Sequence, residues 1–200
     1  MANSKQGQNK TWLIILAIVG VGALWLINTF NSLVKLNESV DNSWAQVANN
    51  LQRRSDLIPN LVETVKGYAK HEEGVFTQIA DARAKLAGGN MSVAETAQAN
   101  EQLTGALGRL LMVAEAYPEL KANENFIKLQ DELAGSENRL ATSRKDYNET
   151  VKVYNVKIKT FPNNLVAGMM GYSNRDYFEV SAAASENVKV DPAGDRKSVV

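Results

Sequence analysis

A stretch of 20 residues without a charged side chain, Thr11 to Phe30, lies near the start of the chain. At about 1.5 Å per residue, a helix of this length spans roughly 30 Å, the thickness of the hydrocarbon core of a bilayer. Trp12 and Trp25 lie near its two ends, where interfacial aromatic residues are common. A cleaved signal peptide would have a shorter apolar region and a small-residue cleavage site, and buried soluble helices rarely run so long without a charge. We therefore predict a single-pass transmembrane helix over residues 11–30, with the lipid bilayer as its partner.

The bulk composition excludes several classes of function. Lys and Arg total 22, as do Asp and Glu, so the net charge is zero and nothing favours a nucleic-acid partner. The chain has no cysteine, which removes disulfides, thiolate catalysis and cysteine-based zinc sites. Its single histidine, His71, has Tyr68 rather than a glutamate three residues before it, so the Glu-x-x-His motif of di-iron bundles is absent. We find no phosphate-binding loop and no nucleophile elbow, and we predict no enzyme activity, cofactor or metal.

A long first helix is predicted by apolar residues that recur in steps of four and three, a period of about 3.5 residues that is typical of helices packing nearly parallel. We expect it to rise from the membrane helix, to be kinked or restarted at Pro59, and to end at Gly88-Gly89. The seam positions are Val47, Leu51, Arg54, Ile58, Leu61, Val65, Tyr68, Glu72, Val75, Ile79, Ala82 and Leu86.

Two further long helices follow. Ser92 and Glu95 form a capping box that begins the second, and the third begins at Asn123 or Asn125. Phe161-Pro162 ends the third helix, and residues 163–171 could form a short fourth. The predicted fold is all-α: a transmembrane helix that continues into an up-down bundle of long coiled-coil-like helices, in which the first and third helices run parallel.

These patterns divide the chain into four parts. We predict a short polar tail, the transmembrane helix, a helical-bundle domain and a disordered tail without periodicity. Their ranges are 1–10, 11–30, 31–190 and 191–200.

A repeated Tyr-Asn pair marks the third helix. Tyr147-Asn148 and Tyr154-Asn155 lie seven residues apart, and Phe161 continues the stripe. The stripe is either a recognition surface for a partner helix or ligand, or a packed seam whose hydroxyl and amide groups bond to nearby backbone. We favour the packed seam, because aromatic stripes at helical spacing usually face a core.

A proline within a helical pattern marks the sequence Asp56-Leu-Ile-Pro59-Asn60. Proline has no amide hydrogen, so it leaves the carbonyl four residues earlier without its helical donor. That carbonyl is either a point for binding or a consequence of a structural bend. We favour the bend.

Charged residues interrupt the apolar seam of the first helix. Arg54 and Glu72 occupy positions where apolar side chains are expected, and Glu137 and Arg144 on the third helix are available as partners. Internal ion pairs that fix helix register are our preferred interpretation. The alternative is a polar layer that binds a ligand.

Taken together, the motifs resemble those of the LemA family over roughly residues 10 to 190. The resemblance implies a bacterial single-pass membrane protein with a mainly helical soluble part and no enzyme activity to carry over. It also implies an association with membrane quality-control partners, such as metalloproteases or TPM-type domains. The matching residues are the apolar span, Arg53-Arg54, Asp56 to Val62, Val65, Gly67-Tyr68, Phe126, Leu129, Leu133, Gly135, Glu137 to Arg139, Arg144, the Tyr-Asn pairs and Phe161-Pro162.

The functional expectation is a membrane-anchored, non-enzymatic scaffold or adaptor that self-associates and that could meet a membrane-protein partner. Ala17, Gly20 and Ala23 recur every third residue in the span and offer one small face for helix packing. The alternative is a membrane-anchored sensor of a small ligand or ion, with the polar layer as its site.

The orientation follows from the lysine residues that flank the span. Lys5 and Lys10 precede it and Lys35 follows it, so the positive-inside rule favours a cytoplasmic N-terminus and an extracytoplasmic bundle. We expect a cysteine introduced by Ser198→Cys, the sole thiol of the chain, to react with a membrane-impermeant maleimide in intact cells. Labelling only after lysis would reverse the assignment.

Overall fold

The computed structural model describes residues 4–89 and 91–179 of the chain. Six α-helices account for most of these residues, and none of the residues described lies in a strand. The predicted all-α class is confirmed, whereas the predicted tail 191–200 lies outside the described residues. The helices are α1 Ser4–Lys66, α2 Glu73–Ala87, α3 Val93–Glu115, α4 Pro118–Lys121, α5 Glu124–Lys159 and α6 Asn163–Met169.

The described residues form two compact units. The first, which we call the anchor unit, lies within Met1–Arg54 and Gly135–Tyr177. The second, the core unit, lies within Ser55–Ala134 and the segment from Phe178 onward.

Helices α1 and α5 run antiparallel in the anchor unit. Arg54 pairs with Glu137, and ten residues earlier in α1 the Trp44 ring lies 5.3 Å from that of Tyr147, ten residues later in α5. The prediction that the first and third long helices run parallel was wrong. The prediction failed because the chain reverses direction once more, after α1, and the sequence pattern does not indicate that reversal.

That reversal lies between Lys66 and Glu73, where the predicted first helix divides into α1 and α2. The amide of Tyr68 bonds to the carbonyl of Val65 at 3.0 Å, an i→i−3 contact that tightens the chain as the helix ends. Gly67, a poor helix former, lies at this point. The side chain of Lys66 then lies over the ring of Phe76 in α2, so α2 folds back along α1.

Pro59, by contrast, lies inside α1 and neither ends nor restarts it. The expected restart of the helix at Pro59 was therefore wrong. Proline removes one amide donor, while Ile58 and Leu61 on either side remain almost fully buried. Their burial stabilises the helix through the proline.

The core unit is a helical hairpin packed on the end of α1. Helices α2 and α3 are antiparallel, since Lys85 bonds to Gln102 and Gln78 bonds to Arg109 across the turn. One apolar cluster extends through the unit, from Ile58 of α1 through Leu103 of α3 to Leu133 of α5.

The capping box that begins α3 is confirmed. Ser92 Oγ accepts a hydrogen bond from the amide of Glu95, and the Glu95 carboxylate accepts one from the amide of Ser92 at 2.7 Å. Hydrogen bonds from the amide and the hydroxyl of Ser92 to the Glu95 carboxylate hold the pKa of Glu95 below its ordinary value. The predicted short fourth helix is also present, as α6.

The apolar span forms the N-terminal part of α1. It is long and apolar enough to cross a membrane, and almost none of its most apolar stretch is buried in the protein. A core helix of a soluble protein would be buried instead. The span is therefore a candidate membrane helix, compatible with a single-pass membrane protein.

Candidate functional site

The carbonyl that Pro59 leaves without a helical donor is that of Ser55. In the structure it accepts a hydrogen bond from Arg83 Nε of α2 at 3.2 Å, and the same Nε lies 3.2 Å from Ser55 Oγ. A guanidinium from the neighbouring helix thus replaces the missing amide. The arrangement favours the structural interpretation of this motif, because the freed carbonyl is already occupied.

The two polar residues that flank Pro59 in the motif lie on the outer side of α1. Asp56 and Asn60 are both exposed. The carbonyl of Asn60 accepts a hydrogen bond from Thr64 Oγ1 at 2.8 Å, one turn later in the same helix. The motif therefore does not converge on one point.

Two of the charged residues that the sequence singles out, Arg54 and Glu137, form an ion pair in the anchor unit. Arg54 is 3% exposed, and its Nη1 lies 3.0 Å from Glu137 Oε2, whose side chain is 38% exposed. Burial lowers the pKa of Arg54, and the nearby carboxylate of Glu137 opposes that shift. The pair is buried on the arginine side and open to solvent on the glutamate side.

Arg144 lies near enough to this pair for its charge to lower the pKa of Arg54 as well. The structure thus brings Arg54, Glu137 and Arg144 near one another. Glu72, the other charged residue of the predicted seam, lies in the core unit as the N-cap of α2.

The Tyr-Asn stripe of α5 binds a segment of the same chain without regular secondary structure, residues 172–177, which we call the strap. Tyr147 Oη donates to the carbonyl of Asp176 at 2.9 Å, and Tyr154 Oη donates to the carbonyl of Ser173 at 3.2 Å. Burial raises the pKa of both phenols, so both stay protonated as donors at neutral pH. Tyr147 and Tyr154 are thus satisfied by nearby backbone, as the packed-seam interpretation expects.

Asn155 makes the most complete contact with the strap. Its Nδ2 donates to the carbonyl of Arg175 at 2.9 Å, and its Oδ1 accepts from the amide of Arg175 at 2.9 Å. One side-chain amide therefore satisfies both backbone groups of a single residue. Asn148, in the other Tyr-Asn pair, is half-buried on the same helix.

Arg175 is the residue of this site that the sequence analysis missed. Besides its backbone pairing, its Nη2 donates to Asn37 Oδ1 at 2.9 Å and lies 3.0 Å from Asp41 Oδ1. It thus joins α1, α5 and the strap at one point. No sequence signal indicated this role, since the strap has no periodic pattern that would place it against a helix.

Loss of the Arg83 side chain should destabilise the protein only where Pro59 leaves the Ser55 carbonyl without an amide donor. We expect Arg83→Met to lower the free energy of unfolding by about 1 kcal/mol, the usual net value of such a hydrogen bond. In a Pro59→Ala background the alanine amide can bond to the Ser55 carbonyl, so Arg83→Met should cost much less. Urea unfolding of the four proteins, followed by circular dichroism, measures the difference.

Arg109→Met provides the matched control. Arg109 of α3 bonds instead to the side chain of Gln78 in α2. Its loss should therefore cost the same with Pro59 as with alanine there. Equal costs of Arg83→Met in the two backgrounds would contradict the proposed replacement.

Comparison with known proteins agrees with the resemblance found in the motifs. Residues 43–191 match the LemA family. Magnetosome protein MamQ 2 of Paramagnetospirillum magneticum is 26% identical in an alignment that covers 86% of this chain and 73% of that protein. Protein LemA of Metamycoplasma hominis is 24% identical in an alignment that covers 92% of this chain and 84% of that protein. Because the family match extends over well more than half of its residues, the chain belongs to the LemA family.

Proposed function

We propose that this protein is a membrane-anchored, non-enzymatic scaffold or adaptor that presents helices beside the bilayer. One observation carries the proposal: its most distinctive buried polar side chains bond to atoms of the same chain. Arg54 pairs with Glu137, and Asn155 holds the backbone of Arg175. Groups used in this way define a shape, and a defined shape is what a scaffold offers to a partner.

The chemistry of these groups supports the same role. Tyr147 and Tyr154 donate to peptide carbonyls, and the raised pKa of each keeps its proton in place at neutral pH. Neither phenol is therefore poised to transfer a proton near pH 7. Among the described residues, no three His, Asp or Glu side chains come together as a metal site would require.

The rival proposal is a sensor whose ligand binds at the Arg54–Glu137 layer. We expect a panel of metabolites and metal ions to leave the melting temperature of the full-length protein unchanged. A ligand at a hundred times its Kd would stabilise the protein by about 2.7 kcal/mol, which a thermal melt detects readily.

If a ligand raised the melting temperature, variants would show whether it binds at the Arg54–Glu137 pair. Saturable stabilisation that disappears in Glu137→Gln and persists in Glu132→Gln would overturn the scaffold proposal in favour of the sensor. Glu132 is the matched control, because it lies on the same helix and is exposed.

We further propose that the protein self-associates through its span and that the bundle lies outside the cytoplasm. Ala17, Gly20 and Ala23 support the association, since small side chains let helices approach closely in lipid. A Cβ added at Gly20 would meet no atom of this chain within 4 Å, so a second helix has access to that face. The lysine bias around the span supports the orientation.

A larger side chain on the face that Ala17, Gly20 and Ala23 form should disrupt the association. We expect the detergent-solubilised wild-type protein to scatter light as an oligomer, and Gly20→Leu to reduce its mass toward that of a monomer. Gly22→Leu is the matched control, because Gly22 lies two residues on and therefore about 200° around the helix from Gly20. A wild-type protein that is monomeric at every concentration would contradict the proposal.

A further inference from the structure

A second apolar surface lies outside the span, on and just before α6. Phe161, Leu165 and Met169 are 75%, 59% and 88% exposed. Leu165 and Met169 are four residues apart in α6 and so share one face of that helix. Met169 is the most exposed large apolar side chain among the residues whose burial the structure describes.

The other face of α6 packs on the protein. Val166 and Ala167 are buried there, which fixes the short helix in place. The exposed apolar face is therefore a feature of a helix held at a defined position. In water such a face is unfavourable, and contiguous exposed apolar surface usually marks a site of contact.

The position of α6 indicates what covers that face. An apolar concavity of about 410 Å³ lies between α6 and the end of the span, and carbon-rich side chains from both line it. The lining residues are Leu26, Ile27 and Phe30 of the span and Val166, Met169 and Met170 of α6 and its C-cap. The exposed face of α6 is thus continuous with the surface that the span presents to lipid.

The depth agrees with this assignment. If residues 11–30 fill the hydrocarbon core, Phe30 lies at its edge, and α6 beside Leu26 to Phe30 lies where acyl chains meet headgroups. Lys157 and Lys159 occupy the last turn of α5, just before Phe161. Lysines followed by apolar and aromatic residues are typical of segments that lie in the interface of a bilayer.

We propose that α6, with Phe161, is a second membrane contact: its exposed face enters the bilayer interface, and a phospholipid acyl chain occupies the concavity between α6 and the span. The inference rests on the membrane anchoring proposed above. It adds that the protein meets the bilayer at two places rather than one.

Fluorescent labels on the full chain test this contact. Because the chain has no cysteine, the variants Met169→Cys, Leu165→Cys, Ile18→Cys and Val153→Cys each carry one thiol for an environment-sensitive fluorophore. The labelled proteins are reconstituted into phosphatidylcholine vesicles with or without bromine on the acyl chains. Ile18 reports the span, and Val153, an exposed apolar residue two turns before Phe161 in α5, is the matched control.

We expect the labels at Met169 and Leu165 to be quenched by bromine to an extent comparable with Ile18 and several-fold more than Val153. Quenching at Ile18 with none at Met169 and Leu165 would overturn this inference and leave the anchor intact. Absence of quenching at Ile18 would overturn the anchor itself, and the inference with it. Blue-shifted but unquenched labels at both α6 positions would also overturn it, since protein rather than lipid would then cover the face.

Discussion

Burial of the seam between α1 and α5 is the interaction on which the anchor unit depends. Leu33, Val40 and Val47 of α1 are almost fully buried, as are Leu140 and Val151 of α5. Each such side chain contributes about 1.5–3 kcal/mol when it leaves water. Every polar group in the seam must then find its partner inside the protein, because leaving it unpaired would cost a similar amount.

The polar members of the seam meet this requirement in different ways. Arg54 is paired with Glu137, whose side chain as a whole is partly exposed, so the ion pair is not fully enclosed in the protein. Tyr147 and Tyr154 extend to the edge of the seam, where backbone carbonyls of the strap accept hydrogen bonds from their hydroxyls. The same tyrosine hydroxyls that need hydrogen-bond partners when the seam is buried therefore hold the strap in position.

Much of this arrangement could be predicted from the sequence, because it depends on local spacing. The buried positions of α1, α3 and α5 follow the four-three steps, and Ser92 with Glu95 marks the start of α3. The turn after Lys66 was missed because Val65, Tyr68 and Glu72 continue those steps across it. Periodicity records which residues face a core, and it does not record whether the chain has reversed.

The site was less predictable than the fold. The pairing of Arg54 with Glu137 was anticipated, because Arg54 lies at an apolar seam position of the first helix and Glu137 is a carboxylate available on the third. The contacts of Arg83 with Ser55 and of Asn155 with Arg175 join segments 28 and 20 residues apart. No periodic pattern connects such positions, so their pairing depends on the tertiary structure.

The two hydrogen bonds between Asn155 and the strap have a consequence for how the sequence of this protein can diverge in evolution. Asn155 bonds to main-chain atoms of Arg175. The main-chain carbonyls of Ser173 and Asp176 likewise accept the hydrogen bonds of the two tyrosines. Those atoms are common to almost every amino acid, so residues 173 and 176 can be substituted while the hydrogen bonds to the strap are kept. Position 155 has no such freedom: aspartate lacks the donor, and glutamine places its amide one methylene further out.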